Sequence, residues 1–264
     1  MWNALAKGIK SVDKNHLMTM HPWGETSSSY CFQNTDWLDF NMLQSGHGKG
    51  YLPNYKMITA DYNKSPVKPC LDGEPNYEDH PINWGDGING WFDDADVRRS
   101  AYWSVFSGSY GHTYGCHPIW QFLDKGREPI GGARHTWREV LDLPGAWDMI
   151  HLRNLIESRP SINRFPDPSI ILSDDGSSFN RIVACRADNY IFIYLPANFS
   201  TTVRIDRISG AKKIAWWYNP RTGEAKQIGE YDKGQVSFDV PVSGVDWVLV
   251  IDDASAGFTA PGTK

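Results

Sequence analysis

Over the first 158 residues, short apolar runs ending in polar loops alternate with helical stretches, and this alternation narrows the choice of fold more than any other feature. A strand, a loop at its carboxyl end and a returning helix make the βα unit of a parallel sheet. His16 to Met20 reads as one strand, ending in His21-Pro22-Trp23-Gly24; Trp37 to Met42 reads as the next, ending in Gln44-Ser45-Gly46-His47. Tyr51, Tyr55, Ile58 and Tyr62 then follow helical spacing, with Pro66 as a stop. Val67 to Leu71 leads into Asp72-Gly73-Glu74-Pro75. Asp93 and Asp94 suit the start of a helix whose buried face is Val97, Ala101 and Val105. His112 to Cys116 reads as the last strand, and Pro144 opens a closing helix with Met149, Leu152 and Ile156 inward. In front of these four units, Leu5, Ile9 and Val12 mark one face of an amphipathic helix.

Prolines 160, 166 and 168 change the texture, and short β-rich runs follow: 181–186, 190–195, 201–205, 213–218, 236–240 and 246–251, divided by turn residues. The expected fold is therefore α/β plus all-β. A partial barrel domain spans 1–158, a linker 159–168 and a small antiparallel β-sandwich 169–264.

With 26 basic and 31 acidic residues, a net charge of -5 gives no reason to expect a nucleic-acid partner. No run approaches the roughly 20 apolar residues of a membrane helix, and the N-terminal stretch lacks the regions of a secretory signal. Cys31, Cys70, Cys116 and Cys185 show no metal-ligand spacing; buried thiols are the main reading and a Cys70–Cys116 disulfide the lesser one.

In parallel α/β barrels the chemistry sits at the carboxyl ends of the strands. That rule selects His21, Ser27 to Ser29, Gln44, His47, Asp72, Glu74, Tyr77, Glu78 and Tyr114. Glu74 leads the set, since a carboxylate there can attack an anomeric carbon or assist proton transfer; the competing reading is a buried Glu74 paired to an arginine such as Arg98. His21, His47, His112 and His117 lack metal-site spacing, so no metal and no cofactor are expected. The serine run lacks a nucleophile-elbow pattern. Trp103 reads as core, Trp23 and Trp120 as core or sugar platforms, and Asp174-Asp175-Gly176 as a turn.

The segments HPWG and SSS at 21–29, WLDFNMLQSGH at 37–47, KPCLDGEPNYE at 68–78 and DVRRSAYWSVFSGSYGHTYG at 96–115 closely resemble the apiosidase-like glycosidases of glycoside hydrolase family 140. AWWYNPRTGEA at 215–225 and DWVLVID at 246–252 resemble the small domain that follows that barrel, named for collagen binding in a collagenase, although nothing in these residues indicates collagen recognition.

The resemblance implies a (β/α)8 TIM barrel, of which this chain would hold the C-terminal half, about strands five to eight. It implies retaining hydrolysis of an apiose-bearing bond in a pectin-type oligosaccharide, with Glu74 as nucleophile, and a secreted or periplasmic home. His21, Ser28, Gln44, His47, Tyr77 and Tyr114 are the candidates for holding sugar hydroxyls. The family's acid/base belongs to the fourth strand, which would lie upstream; Asp39 and Glu25 stand in contexts that match other family positions. A chain so truncated is expected to be inactive alone. The rival reading is a non-catalytic carbohydrate-binding protein, and a matrix-protein binder has only the inherited domain name behind it.

Overall fold

The computed structural model of the chain describes residues 1–232 and 234–263. Helix α1 (Trp2–Val12) is followed by β1 (Thr26–Ser27), α2 (Ser29–Phe32), β2 (Asn41–Gln44), α3 (Asn54–Tyr62), β3 (Cys70–Asp72), α4 (Asp94–Phe106), β4 (Gly111–His112), α5 (His117–Trp120) and α6 (Pro144–Glu157). The C-terminal part is β5 (Phe165–Pro166), β6 (Val183–Arg186), β7 (Tyr190–Leu195), β8 (Ser200–Arg204), β9 (Lys213–Tyr218), β10 (Ala225–Tyr231), β11 (Gln235–Asp239) and β12 (Trp247–Asp253).

Strands β2, β3 and β4 pair in parallel, as the alternation requires, but β1 joins β2 antiparallel. The expected strand at 16–20 is absent. That segment runs beside Asp39 and Phe40 on local bonds instead: Met18 N–H donates to the Asp39 carboxylate at 2.6 Å, Asp39 N–H to the Met18 carbonyl at 2.9 Å, and Thr19 Oγ1 to the Phe40 carbonyl at 2.6 Å. Helix α1 forms where expected, yet its apolar face meets solvent; Leu5, Ile9 and Val12 are exposed and only Ala6 is buried.

Helix α4 begins at a reciprocal cap, in which Asp93 accepts the Asp96 N–H and Asp96 accepts the Asp93 N–H. Every residue of it from Val97 to Phe106 except Arg99 is buried. A helix buried all round must lie between two layers. Here those layers are the parallel sheet and a six-stranded antiparallel sheet ordered β10-β9-β12-β7-β6-β5.

Alternating side chains of β7 serve two cores. Tyr190, Phe192 and Tyr194 pack against α4 and α6, with Tyr102 stacked on Tyr194 at 4.7 Å; Ile191, Ile193 and Leu195 face the opposite cluster. That cluster includes Val203 on β8 and Phe238 on β11, which form a two-stranded sheet. Among the described residues the second layer of the expected sandwich is thus two strands wide. Strands β5 and β10 are additions that the sequence pattern did not give.

Arg98 joins the layers. Its Nε and one terminal nitrogen grip Asp246, before β12, at 2.7 and 3.1 Å, and its other terminal nitrogen meets Asp94 at 2.8 Å and Asp148 of α6 at 2.5 Å. Tyr194 and Arg221 also bind Asp246. The Glu74–Arg98 pair weighed above does not form. Burial pushes the Asp148 carboxyl up even beside the guanidinium, whereas hydrogen bonds and charge from Asp246 hold Arg98 as a cation despite its burial.

Removing one partner of such a cluster strands buried charge. Arg98→Met is expected to cost roughly 3–5 kcal/mol in urea denaturation, against about 0.5 kcal/mol or less for Arg153→Met, whose pair with Glu157 is exposed. Equal losses would show that the Arg98 cluster does not hold the layers together.

Candidate functional site

The parallel sheet presents its carboxyl edge at Gln44 and Asp72, and the loops that leave there meet. Gly73 N–H donates to the Leu43 carbonyl at 2.8 Å, and Gly46 N–H to the Glu74 carbonyl at 2.9 Å, so the two loops are stitched through their backbones. A Cβ at Gly73 would sit 2.7 Å from the Met42 side chain, so a larger residue there would have to displace Met42.

Glu74 is the meeting point. Its Oε1 receives the Gln44 amide at 2.8 Å and lies 3.1 Å from His47 Nε2, while its Oε2 lies 3.1 Å from His21 Nε2. The Tyr77 N–H donates to Nδ1 of His47 at 3.3 Å, which leaves the ring proton on Nε2, pointing at the carboxylate. The Glu74 side chain keeps 20% of its surface exposed, enough to be reached.

His47 is itself buried, with its ring 4.7 Å from that of Tyr77 and stacked at 4.1 Å on His80. Burial, with His47 and His117 nearby, pushes His80 down to about 3, so the His80 ring behind the site stays neutral. Tyr77 is pushed up to about 12 by burial and by the charges of Glu74 and Asp72, and its phenol remains a donor. Its ring packs where Gly115 has no side chain; a Cβ on Gly115 would fall 2.0 Å from it.

A cleft of about 390 Å³ opens beside Gln44 and His47, walled by Trp23, Glu25 and Trp84. Trp23 is highly exposed, and Trp84 follows Asn83 in two successive left-handed conformations at φ 66° and 49°. Backbone held in that region by a non-glycine pair carries strain of the kind found at ligand-binding loops. Trp84 escaped the reading of the sequence. Its signal lies in the glycine-rich run Asn83 to Gly90 that follows the Glu74 loop, not in any periodicity.

The other expected residues divide. His21, Gln44, His47 and Tyr77 gather at Glu74, but Ser28 and Tyr114 do not. Ser28 is fully buried, and its Oγ accepts the Met42 N–H at 3.0 Å, fastening β1 to β2. Tyr114 gives its hydroxyl to Glu78 at 2.6 Å; Glu78 in turn accepts the Gly145 N–H at the start of α6. Ser27 and Ser29 bind Asp61 at 2.5 and 2.6 Å. Trp103 lies in the core, while Trp120 is half exposed and stacks on His117. Gly176 N–H donates to Asp174, as the expected turn requires.

His112 stands apart from His21 and His47, whereas His117 packs on the far side of His80, whose ring lies 4.1 Å from that of His47 and 4.2 Å from that of His117. Among the described residues no three His, Cys, Asp or Glu side chains gather as a metal site. All four cysteines are free thiols, so the Cys70–Cys116 disulfide does not form, and Cys31 is exposed where a buried thiol was expected.

With this geometry in place, the family profile for the apiosidase-like catalytic domain matches residues 1–163. The chain belongs to the apiosidase-like family. Residues 165–252 match the family described as "Putative collagen-binding domain of a collagenase". A solved structure described as a glycoside hydrolase is 40% identical, with a TM-score of 0.93 over 96% of this chain and 61% of its own. A glycoside hydrolase family 5 protein from Bacteroides vulgatus ATCC 8482 is 38% identical, with a TM-score of 0.95 over 98% of this chain and 59% of its own.

This apiosidase-like chain therefore spans about three fifths of the relatives it matches. No curated protein sequence matches it. The relationship is to glycoside hydrolases, with a TIM-barrel-type domain before a sheet-rich C-terminal one; the described strands close no barrel. No described helix is long and apolar enough to cross a membrane.

Asp72, beneath Glu74, gives this cluster a pH signature. It is fully buried, accepts Ser45 Oγ at 2.7 Å and Asn54 at 3.0 Å, and is pushed up by burial to about 6. Unfolded, an aspartate titrates near 3.8, so the folded chain holds this proton more tightly. The stability Asp72 contributes is therefore fully present below about pH 4 and is lost as pH rises through about 6. Urea titrations should show the wild type losing up to ~3 kcal/mol relative to Asp72→Asn between pH 4 and 7. A change in the opposite direction would mean that Asp72 is stabilised as an ion.

Proposed function

We propose that this chain carries the nucleophile half of a retaining glycoside hydrolase, with Glu74 attacking an anomeric carbon and Trp23 and Trp84 flanking the sugar. The observation that carries the reading is the Glu74 carboxylate itself. It is reachable at a strand end, and two N–H donors converge on one of its oxygens. Donors fixed in advance hold a nucleophile in its attacking orientation and cost no reorganisation when charge moves.

In the first step the Glu74 carboxylate forms a bond to the anomeric carbon as the bond to the leaving oxygen breaks. In the second, water bonds to the same carbon and displaces the carboxylate, its proton passing to the group that served as acid in the first step. The leaving oxygen takes a proton from an acid, which retention places roughly 5 Å from the nucleophile. Asp39 cannot serve as that acid, being occupied by Lys10 and the Met18 N–H away from the cleft. Glu25 does wall the cleft, but Lys49 pairs with it at 2.9 Å.

The acid/base is therefore assigned to the rest of a (β/α)8 barrel of which these residues form the C-terminal half. The coverage of the solved relatives supports this division. The proposed substrate class is an apiose-bearing, pectin-type oligosaccharide, a reading that the apiosidase-like family description supports as far as the sugar.

The test compares hydrolysis of an apiose-bearing pectin fragment by this chain, by the chain with the upstream half of the barrel restored, and by restored forms carrying Glu74→Gln or Glu25→Gln. Activity is expected only in the restored enzyme. Glu74→Gln should lower it by roughly 10³-fold or more, and Glu25→Gln should leave most of it. Turnover by the present chain alone would place the acid/base within these residues, and binding without turnover, unchanged by Glu74→Gln, would replace catalysis with recognition.

A further inference from the structure

The two histidines on Glu74 are wired in opposite senses. His47 accepts a backbone N–H at Nδ1 and so donates from Nε2. In His21 it is Nδ1 that must donate, because it lies 2.9 Å from the Pro22 carbonyl oxygen, which can only accept. The neutral form of that ring carries a bare lone pair on Nε2, and Nε2 lies 3.1 Å from Glu74 Oε2. A lone pair facing an ionised oxygen repels it. The contact is attractive only with one further proton in it, on the nitrogen or on the oxygen.

We propose that His21 and Glu74 hold one proton jointly, and that His21 is a positioning residue which sets the upper pH limit for attack by Glu74. This rests on the reading of Glu74 as nucleophile. Oε1 is already filled by Gln44 and His47, so Oε2 is the oxygen left to attack, and His21 is what aims it.

The remaining groups around the carboxylate do not supply that proton. Gln44 does not titrate, the Nε2 proton of His47 is committed to Oε1, and Tyr77 remains a phenol. Asp72 is buried below, where it accepts from Ser45 and Asn54, and Glu25 is paired with Lys49 at the rim.

Three protonation states follow. With a second proton added, Glu74 is a neutral acid facing a cationic ring and does not attack. With one shared proton, the carboxylate is held by three N–H groups and is competent. With none, the lone pair of His21 faces the carboxylate, the ring must give up Pro22 or turn away, and Oε2 loses its alignment. Such titrations belong to the pair and not to either residue.

Two measurements test this. The first is nitrogen-15 NMR of the histidine rings in the intact chain. In the wild type, Nε2 of His21 should read as protonated or intermediate while Nδ1 is protonated; in Glu74→Gln, Nε2 should read as a bare acceptor. A bare Nε2 in the wild type beside an ionised Glu74 would overturn the proposal.

The second uses the enzyme with its upstream half restored and an activated aryl glycoside whose leaving group needs no proton. The rate of glycosyl-enzyme formation should fall about tenfold per pH unit on the alkaline side in the wild type. It should lose that limb in His21→Gln, whose amide donates at every pH. An alkaline limb shared by both forms would also overturn it. If neither form is labelled at Glu74, the nucleophile reading fails, and the NMR result still decides whether the proton is shared.

Discussion

Beyond its first turn helix α4 has almost no solvent face, and both sheets are built on that constraint. One side of it receives the aromatic rings of β7 and the other carries the parallel sheet, while Arg98 anchors it in charge to α6 and to the segment before β12. The parallel sheet needs such support, since its own apolar cluster is little more than Leu43, Ile58 and Cys70. Much of its rigidity is polar. Asn54 donates to Asp72 at 3.0 Å and to the Ser100 carbonyl of α4 at 2.9 Å, and the Ser100 hydroxyl reaches back to Asn76 in the Glu74 loop. The proposed nucleophile is thus tied to the buried helix within a few residues on either side. Hydrogen bonds hold direction more sharply than apolar contacts do, which suits a loop whose task is to aim a carboxylate.

The parts of the fold that were legible in the sequence are those whose determinants are local. Helix α4 starts at Asp93 because its cap is written within four residues, and α6 starts at Pro144 because proline suits a first helical turn. Strands β7 and β9 fall on their β-branched and aromatic runs. What stayed hidden depends on partners far along the chain. Strand β10, Ala-Lys-Gln-Ile-Gly-Glu-Tyr, has no apolar alternation of its own and exists because β9 offers it an edge. The antiparallel entry of β1 is set by Ser28 binding Met42, which no residue pattern announces.

The same division runs through the site. That polar groups gather at strand ends was visible as spacing, and it brought His21, Gln44, His47 and Tyr77 to Glu74. Which way each side chain turns was not visible. Ser28 and Tyr114 occupy strand-end positions too, but their hydroxyls are taken by Met42 and Glu78, so they brace the scaffold instead of facing the cleft. The wiring of Arg98 belongs to this second kind. Its partners Asp148 and Asp246 lie 50 and 148 residues away.

The arrangement on Glu74 also decides how the site divides its labour. The strand β2 edge and the loop after it supply the Gln44 and His47 donors to one oxygen, backed by the His80 ring that burial keeps uncharged. The loop before β1 supplies the other oxygen with a partner that can gain or lose a proton. A retaining mechanism needs the carboxylate twice, as nucleophile and then as leaving group. Charge leaves the attacking oxygen in the first step and returns in the second, so a titratable partner there matters most, while fixed donors on the other oxygen keep the group from turning. With the donors on Glu74 coming from this sheet edge and its adjoining loops, the proposed mechanism brings a sugar ring in through the cleft between Trp23 and Trp84 and the acid from across it.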